Sequence, residues 1–169
     1  MFSYEKLYDF DNLYKAHLQA RKGKRNKKEV IDFEMNLCNQ LCTLQESLMN
    51  QSYNLQGYYH FTVHDPKVRE IYALHYKDRV LQHCLCDELL TPYFERHLIY
   101  DNAACRKDKG THFAINRLSL FLRKCYKQYG RSFYVLKCDI AKFFDSIPHN
   151  VLKEKLGSCV DDEQTLNFV

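Results

Sequence analysis

The chain has 169 residues, 46% of them hydrophobic and 27% charged, which suits one compact domain, or one domain and part of another, and excludes a disordered chain. No apolar run approaches the roughly 18–20 residues of a membrane span or reads as an N-terminal secretory signal, so no membrane partner is expected. A net charge of +4 is too small to argue for a nucleic-acid partner by itself, although its distribution is uneven.

Over residues 4–20 the apolar positions Leu7, Phe10, Leu13, Tyr14 and Leu18 alternate with charges, which predicts an amphipathic helix. The run RKGKRNKK follows at 21–28, six basic residues with a glycine and no apolar side chain, and reads as a loop. Val30, Phe33, Leu37, Leu41, Leu44 and Leu48 step by three or four and predict a second helix over 29–50. After Asn54 and Gly57, the β-rich runs YYHFTVH and VREIYALH flank Asp65-Pro66 and predict a hairpin. Asp78 is the expected start of the next helix, to Leu90, and Thr91-Pro92 the expected cap and first position of a restarted or kinked one. Residues 99–110 read as a loop, and 111–129 as a helix closed by Gly130. FYVLKCDI, at 133–140, is strand-like, and 148–156 resembles a short helix. The order predicts an α+β fold whose last strand lacks neighbours to pair with.

The eight cysteines are even in number, which in a secreted chain would suggest disulfides. With no secretory signal, the reducing cytoplasm is the expected location and buried or free thiols the expected state. Cys38/Cys42 and Cys84/Cys86 do not make up the paired ligand spacing of a zinc knuckle.

The chemistry concentrates in KCDIAKFFDSIPH, at 137–149, where an apolar strand would deliver Asp139 at its end, fixed yet facing solvent. Magnesium takes hard oxygen ligands, typically one or two carboxylates plus substrate phosphates, and in nucleotidyl transfer two such ions align the attacking hydroxyl and the triphosphate. This string resembles the first catalytic motif of reverse transcriptases. Two more blocks resemble that family in the right order: FTVHDPKVREIYALHYKDRVLQH, like its fingers strand pair and "DRV" helix, and LLTPYFERHLIYDNAACRKDKGTHFAINRL, like its "P-x-F-E" helix, basic loop and "GTH-x-A" helix start. The wording is most similar to diversity-generating retroelement enzymes, with group II intron enzymes next. It departs from the former in DRVLQHCLC, where paired histidines are usual, and in FFDSIPH, where a Pro-Ser pair is common.

The resemblance implies a mainly helical fingers subdomain over residues 1–130, and over 131–169 the first strand and helix of a palm that stops before the remaining catalytic carboxylates. It implies an RNA-directed DNA polymerase whose partners are an RNA template, a DNA primer, a deoxynucleoside triphosphate and Mg2+, with an accessory protein or intron RNA as further candidates, the fragment alone being inactive. Asp139 maps onto the first metal-binding aspartate, and Ile140 onto a backbone carbonyl ligand. Phe144 maps onto the ring that excludes a 2′-hydroxyl, leaving Phe143 for core packing. Lys67 and Arg69 map onto fingers cations that grip the triphosphate. Arg21, Lys22, Lys24, Arg25, Lys27 and Lys28 of the first basic loop, and Arg106, Lys107 and Lys109 of the second, are the expected contacts to the RNA backbone. A non-catalytic, maturase-type RNA-binding module is the alternative. CVDDE, at 159–163, imitates paired catalytic aspartates but lies too near Asp139, so Asp161 is expected to cap a helix instead.

Overall fold

The computed structural model describes residues 3–160 and 162–166. These form two compact units, described separately below. One takes in the described residues up to Pro92 and those from Lys153 onward; the other is Tyr93–Leu152.

The first unit opens with α1 (Glu5–Tyr8) and α2 (Phe10–Ala20) where one helix is expected. Asp9 leaves helical geometry, with ψ at 125°, and its carboxylate accepts the Asn12 N–H at 2.9 Å. A short acidic side chain that can satisfy an orphan N–H favours a cap over a helix interior. The expected helix over 29–50 likewise divides into α3 (Lys28–Glu34) and α4 (Leu37–Met49), broken where Asn36 takes φ −133° and ψ 42°. The apolar stripe survives the break, because Val30, Phe33, Leu41, Leu44 and Leu48 are all buried.

The predicted hairpin forms. β1 (Tyr58–Val63) pairs antiparallel with β2 (Arg69–Leu74), Tyr58 opposite Leu74 and Val63 opposite Arg69. α5 (Tyr76–Leu85) starts ahead of Asp78, which is therefore inside the helix and free for another role. Thr91-Pro92 does not restart the helix. Thr91 has helical angles, φ −60° and ψ −48°, and the chain runs through a wide π turn (Cys86–Leu90) into α6 (Thr91–Phe94). That turn shifts the hydrogen-bond register, which lets a proline follow without the steric break an ideal α-helix would suffer.

In the core of the first unit α2 packs on α5 and α4, and α1 on α4. Leu7, Leu13, Leu41, Leu44, Leu48 and Val80 are fully buried, each burial stabilising by roughly 1.5–3 kcal/mol. Leu156 of α8 (His149–Gly157) and Val160 are buried as well. Asp161 lies outside the described residues. Its neighbour Asp162 accepts the Gln164 and Thr165 N–H groups, both at 3.3 Å, at the start of α9 (Glu163–Leu166).

The second unit contains α7 (Thr111–Tyr129), closed by Gly130, whose φ of +62° suits glycine and whose N–H reaches the Tyr126 carbonyl at 2.8 Å. None of its residues is buried, and Ile115, Leu118, Phe121 and Leu122 of α7 are exposed. The strand expected over 133–140 does not form. A strand exists only through a ladder, and the hairpin is the one sheet among the described residues. Tyr134 and Leu136 are consequently 101% and 86% exposed. The whole is α+β, and no helix of the described residues is long and apolar enough to cross a membrane.

Candidate functional site

The hairpin stands on two adjacent residues of α5. Asp78 is fully buried and accepts the Tyr53 hydroxyl and the Gln56 N–H, the latter at 2.9 Å, which fixes the chain just before β1. Burial, then the bond to Asp78, pushes the Tyr53 hydroxyl far above the ordinary tyrosine range, so it stays a donor. Arg79 donates to the Leu74 carbonyl at 2.9 Å and pairs with Glu29 at 3.1 Å, which fixes the end of β2 against α3. The "DR" of the sequence block is therefore a clamp on both feet of a two-stranded ribbon that would be marginal alone. Lys67, in the connection, and Arg69, at the first position of β2, make no ion pair or side-chain hydrogen bond among the described residues, so both cations are available to an anion.

Behind the clamp lies a buried cluster. His17 is fully enclosed, stacked on Phe33 at 5.5 Å between ring centroids, with its Nδ1 3.0 Å from the Tyr76 hydroxyl. With Nδ1 accepting, Nε2 carries the proton and faces Glu34 Oε1 at 3.3 Å, close but poorly aligned for a hydrogen bond. Glu34 also pairs with Arg21. Burial holds the imidazole below its ordinary pKa, against the opposing pull of Glu34, and burial pushes the Tyr76 hydroxyl up to about 12.

The first basic loop is consequently not one uniform surface. Arg21 is committed to Glu34, Lys22 donates to Gln19 at 2.6 Å, and Lys28 pairs with Asp32 at 3.3 Å. Lys24, Arg25 and Lys27 have no ion pair among the described residues, and Lys24 and Lys27 line a groove of about 760 Å3 with Tyr58, Phe61, Tyr72 and Arg79.

The second basic loop belongs to the second unit and is largely internal scaffolding. Arg106 donates to Glu95 Oε1 at 2.6 and 2.8 Å, to the Ile99 carbonyl at 2.8 Å and to the Asn102 carbonyl at 3.2 Å. Those bonds hold the Glu95 carboxyl below the usual carboxylate range, as Arg117 does for Asp101. Lys109 donates to the Tyr100 carbonyl at 2.6 Å and lies over the Tyr100 ring, 4.2 Å from its centroid. Of the three cations expected to meet RNA, Lys107 alone has no such engagement among the described residues.

Asp139 is exposed, and its Oδ1 accepts the N–H of Ile140 at 3.0 Å. Beyond it the backbone turns through Lys142 at φ +49°, a left-handed conformation that costs a lysine about 1–2 kcal/mol, into a 3-10 turn (Phe144–Ser146). Phe143 and Phe144 meet edge to face at 5.3 Å and are 48% and 83% exposed, so Phe143 is not the core residue expected of it. Each ring has its partner in the other because no sheet backs the segment. Among the described residues no group of three or more His, Cys, Asp or Glu side chains converges as a metal site. All eight cysteines are free, and burial pushes the Cys84 thiol up to about 12, which makes it inert.

Sequence reading missed the clamp and the groove. The first left a faint signal in the charged pair Asp78-Arg79 at the start of an apolar helix, and the second a clearer one in the aromatic rings Tyr58, Tyr59 and Phe61 of β1 and Tyr72 of β2. Compared with known proteins, the chain matches no family model and is significantly similar to none of the curated proteins.

Proposed function

We propose that this chain is the fingers and the first palm segment of a reverse transcriptase, an RNA-directed DNA polymerase, of the diversity-generating retroelement kind. The observation that carries the reading is the order of the three motif blocks along the chain; in the first, Lys67 and Arg69 are unpaired on a hairpin held by Asp78 and Arg79, and in the last Asp139 is followed by an exposed Phe144. In this reading Lys67 and Arg69 hold the triphosphate by charge, Lys24, Arg25 and Lys27 hold RNA phosphates, and the Phe144 ring fills the volume of a 2′-hydroxyl. Asp139, with the Ile140 carbonyl, shares Mg2+ with carboxylates from outside the described residues; the ion, when bound, supplies charge stabilisation at the reacting phosphate. The exposed apolar side of Tyr93–Leu152 then packs on the remaining palm sheet. A maturase-type RNA-binding module without catalysis is the second reading, favoured by the absence, among the described residues, of any group of three or more candidate metal ligands.

Primer extension by the complete polymerase containing this chain separates the two. Phe144→Ala should lower the ratio of kcat/KM for a deoxynucleotide to that for its ribonucleotide by about tenfold or more, because discrimination built on a clash disappears with the clashing atoms. An unchanged ratio removes Phe144 from the role, and no extension by the wild-type polymerase favours the non-catalytic reading.

A further inference from the structure

The roles given above use Lys24 and Lys27 of the groove between the hairpin and the basic loop but none of its aromatic rings. Tyr58 and Tyr72, each about two-thirds exposed, present rings from the two strands, while Phe61, which also lines the groove, stands on the other face of the ribbon and stacks with Tyr59. Tyr58 and Tyr72 share one face of the ribbon, since Tyr72 stands opposite His60, two residues from Tyr58. On that face the Tyr72 and His60 rings lie 4.6 Å apart between centroids, tilted by 31°. Lys24 and Lys27 stand on the opposite rim, and neither has an anionic partner among the described residues. Arg79 is already paired with Glu29, so the free positive charge lies on the loop side and the rings on the strand side.

A recess with flat rings along one wall and unneutralised cations along the other matches a single nucleic-acid strand, whose bases stack and whose phosphates pair. The spacings agree as well. Tyr58 and Tyr72 are diagonal neighbours across the two strands, a separation of roughly 7–8 Å, close to twice the roughly 3.4 Å step between stacked bases, so every second base can meet a ring. A duplex hides its base faces within its own stack and offers the rings nothing. The geometry points to this groove as a stacking site for unpaired RNA, held by Tyr58 and Tyr72 through its bases and by Lys24 and Lys27 through its phosphates. The site deepens the polymerase reading, and rests on it for the choice of RNA.

The test uses the whole chain, a single-stranded RNA twelve-mer carrying one 2-aminopurine, and a blunt duplex of the same sequence. The single strand should bind about tenfold or more tightly than the duplex, with 2-aminopurine fluorescence quenched by stacking. Tyr58→Leu with Tyr72→Leu should weaken single-strand binding by about tenfold and abolish the quench, whereas Tyr58→Phe with Tyr72→Phe should keep both. Lys24→Gln with Lys27→Gln should flatten the slope of log K against log salt by about 1.4, two phosphate contacts at roughly 0.7 each. Equal binding of strand and duplex by the wild-type chain, or a quench that survives the leucine pair, overturns the groove and leaves the polymerase reading standing. Failure to bind either RNA overturns both. Because the wild-type comparison needs no variant, a leucine pair that unfolds the hairpin does not rescue the inference.

Discussion

Helices α2 and α5 of the first unit and helix α7 of the second are all amphipathic, but only the first two have something to cover. Leu13 and Val80 are fully buried where α2 meets α5, whereas α7, longer than either, buries no residue at all. The same contrast separates the extended segments. β1 and β2 form a ladder whose two feet are held by Asp78 and Arg79, while residues 133–140 have a comparable β-rich composition and no ladder. Amphipathicity is thus a demand for a partner rather than a guarantee of one. In the first unit the demand is met from within; in the second it is not met by the described residues.

Core truncations should separate the two units most strongly. Leu44→Ala or Leu13→Ala should destabilise the chain by about 2–5 kcal/mol, since each empties a closed site, while Leu118→Ala on α7 should fall within about 0.5 kcal/mol. Urea unfolding of all three variants measures this, and a large loss at Leu118 would show that α7 is covered after all.

A smaller effect sharpens the role of the clamp. Asp78→Asn keeps an acceptor but loses the charge, and should destabilise by about 1–3 kcal/mol because the hydroxyl of Tyr53 is left with a weaker buried partner. Amide exchange of β1 and β2 should accelerate more than exchange in α4. Uniform acceleration would instead make Asp78 a general core residue.

The buried histidine gives a pH dependence whose sign is fixed by the direction of its shift. Burial holds folded His17 below its ordinary pKa, so between that lowered value and about 6.5 the unfolded chain binds the extra proton. Stability attributable to His17 is therefore complete above about pH 6.5 and is lost as pH falls through that value. Melting of wild type and His17→Gln at pH 7.5 and 5.5 should show the smaller decrease in the variant. A steeper decrease in His17→Gln would reverse the assignment.

The smallest expected effect lies in the second unit. Arg106→Ala should leave global stability nearly unchanged but open the loop over 98–110 to proteolysis, because its bonds to Glu95, Ile99 and Asn102 are exposed and local. Resistance equal to wild type would return Arg106 to the set of cations free to meet RNA.

Much of this was legible in the sequence, for identifiable reasons. Period and turn chemistry located the hairpin around Asp65-Pro66 and α7 up to Gly130, since both depend on local contacts. The interruptions at Asp9 and Asn36 were hidden because apolar spacing continues across them, and only the backbone angles reveal the break. The strand over 133–140 was read from composition, which reports what a segment would pair with and not whether a partner is present. At the candidate site, charge counts marked both basic loops equally. Which cations are spoken for depends on carboxylates and carbonyls brought close by folding, Glu34 for Arg21 and Glu95 for Arg106. Asp139 and Phe144 were marked by their motif alone, and both are exposed.

In the proposed reading Asp139 belongs to the chemical step while the first unit holds the nucleic acid. Primer extension and RNA affinity, measured together on the complete polymerase and its Asp139→Ala variant, test it most directly. Extension should fall by several orders of magnitude with RNA affinity nearly unchanged, because a metal ligand acts where charge develops and not where phosphates dock. Extension by Asp139→Ala within about tenfold of wild type would contradict it.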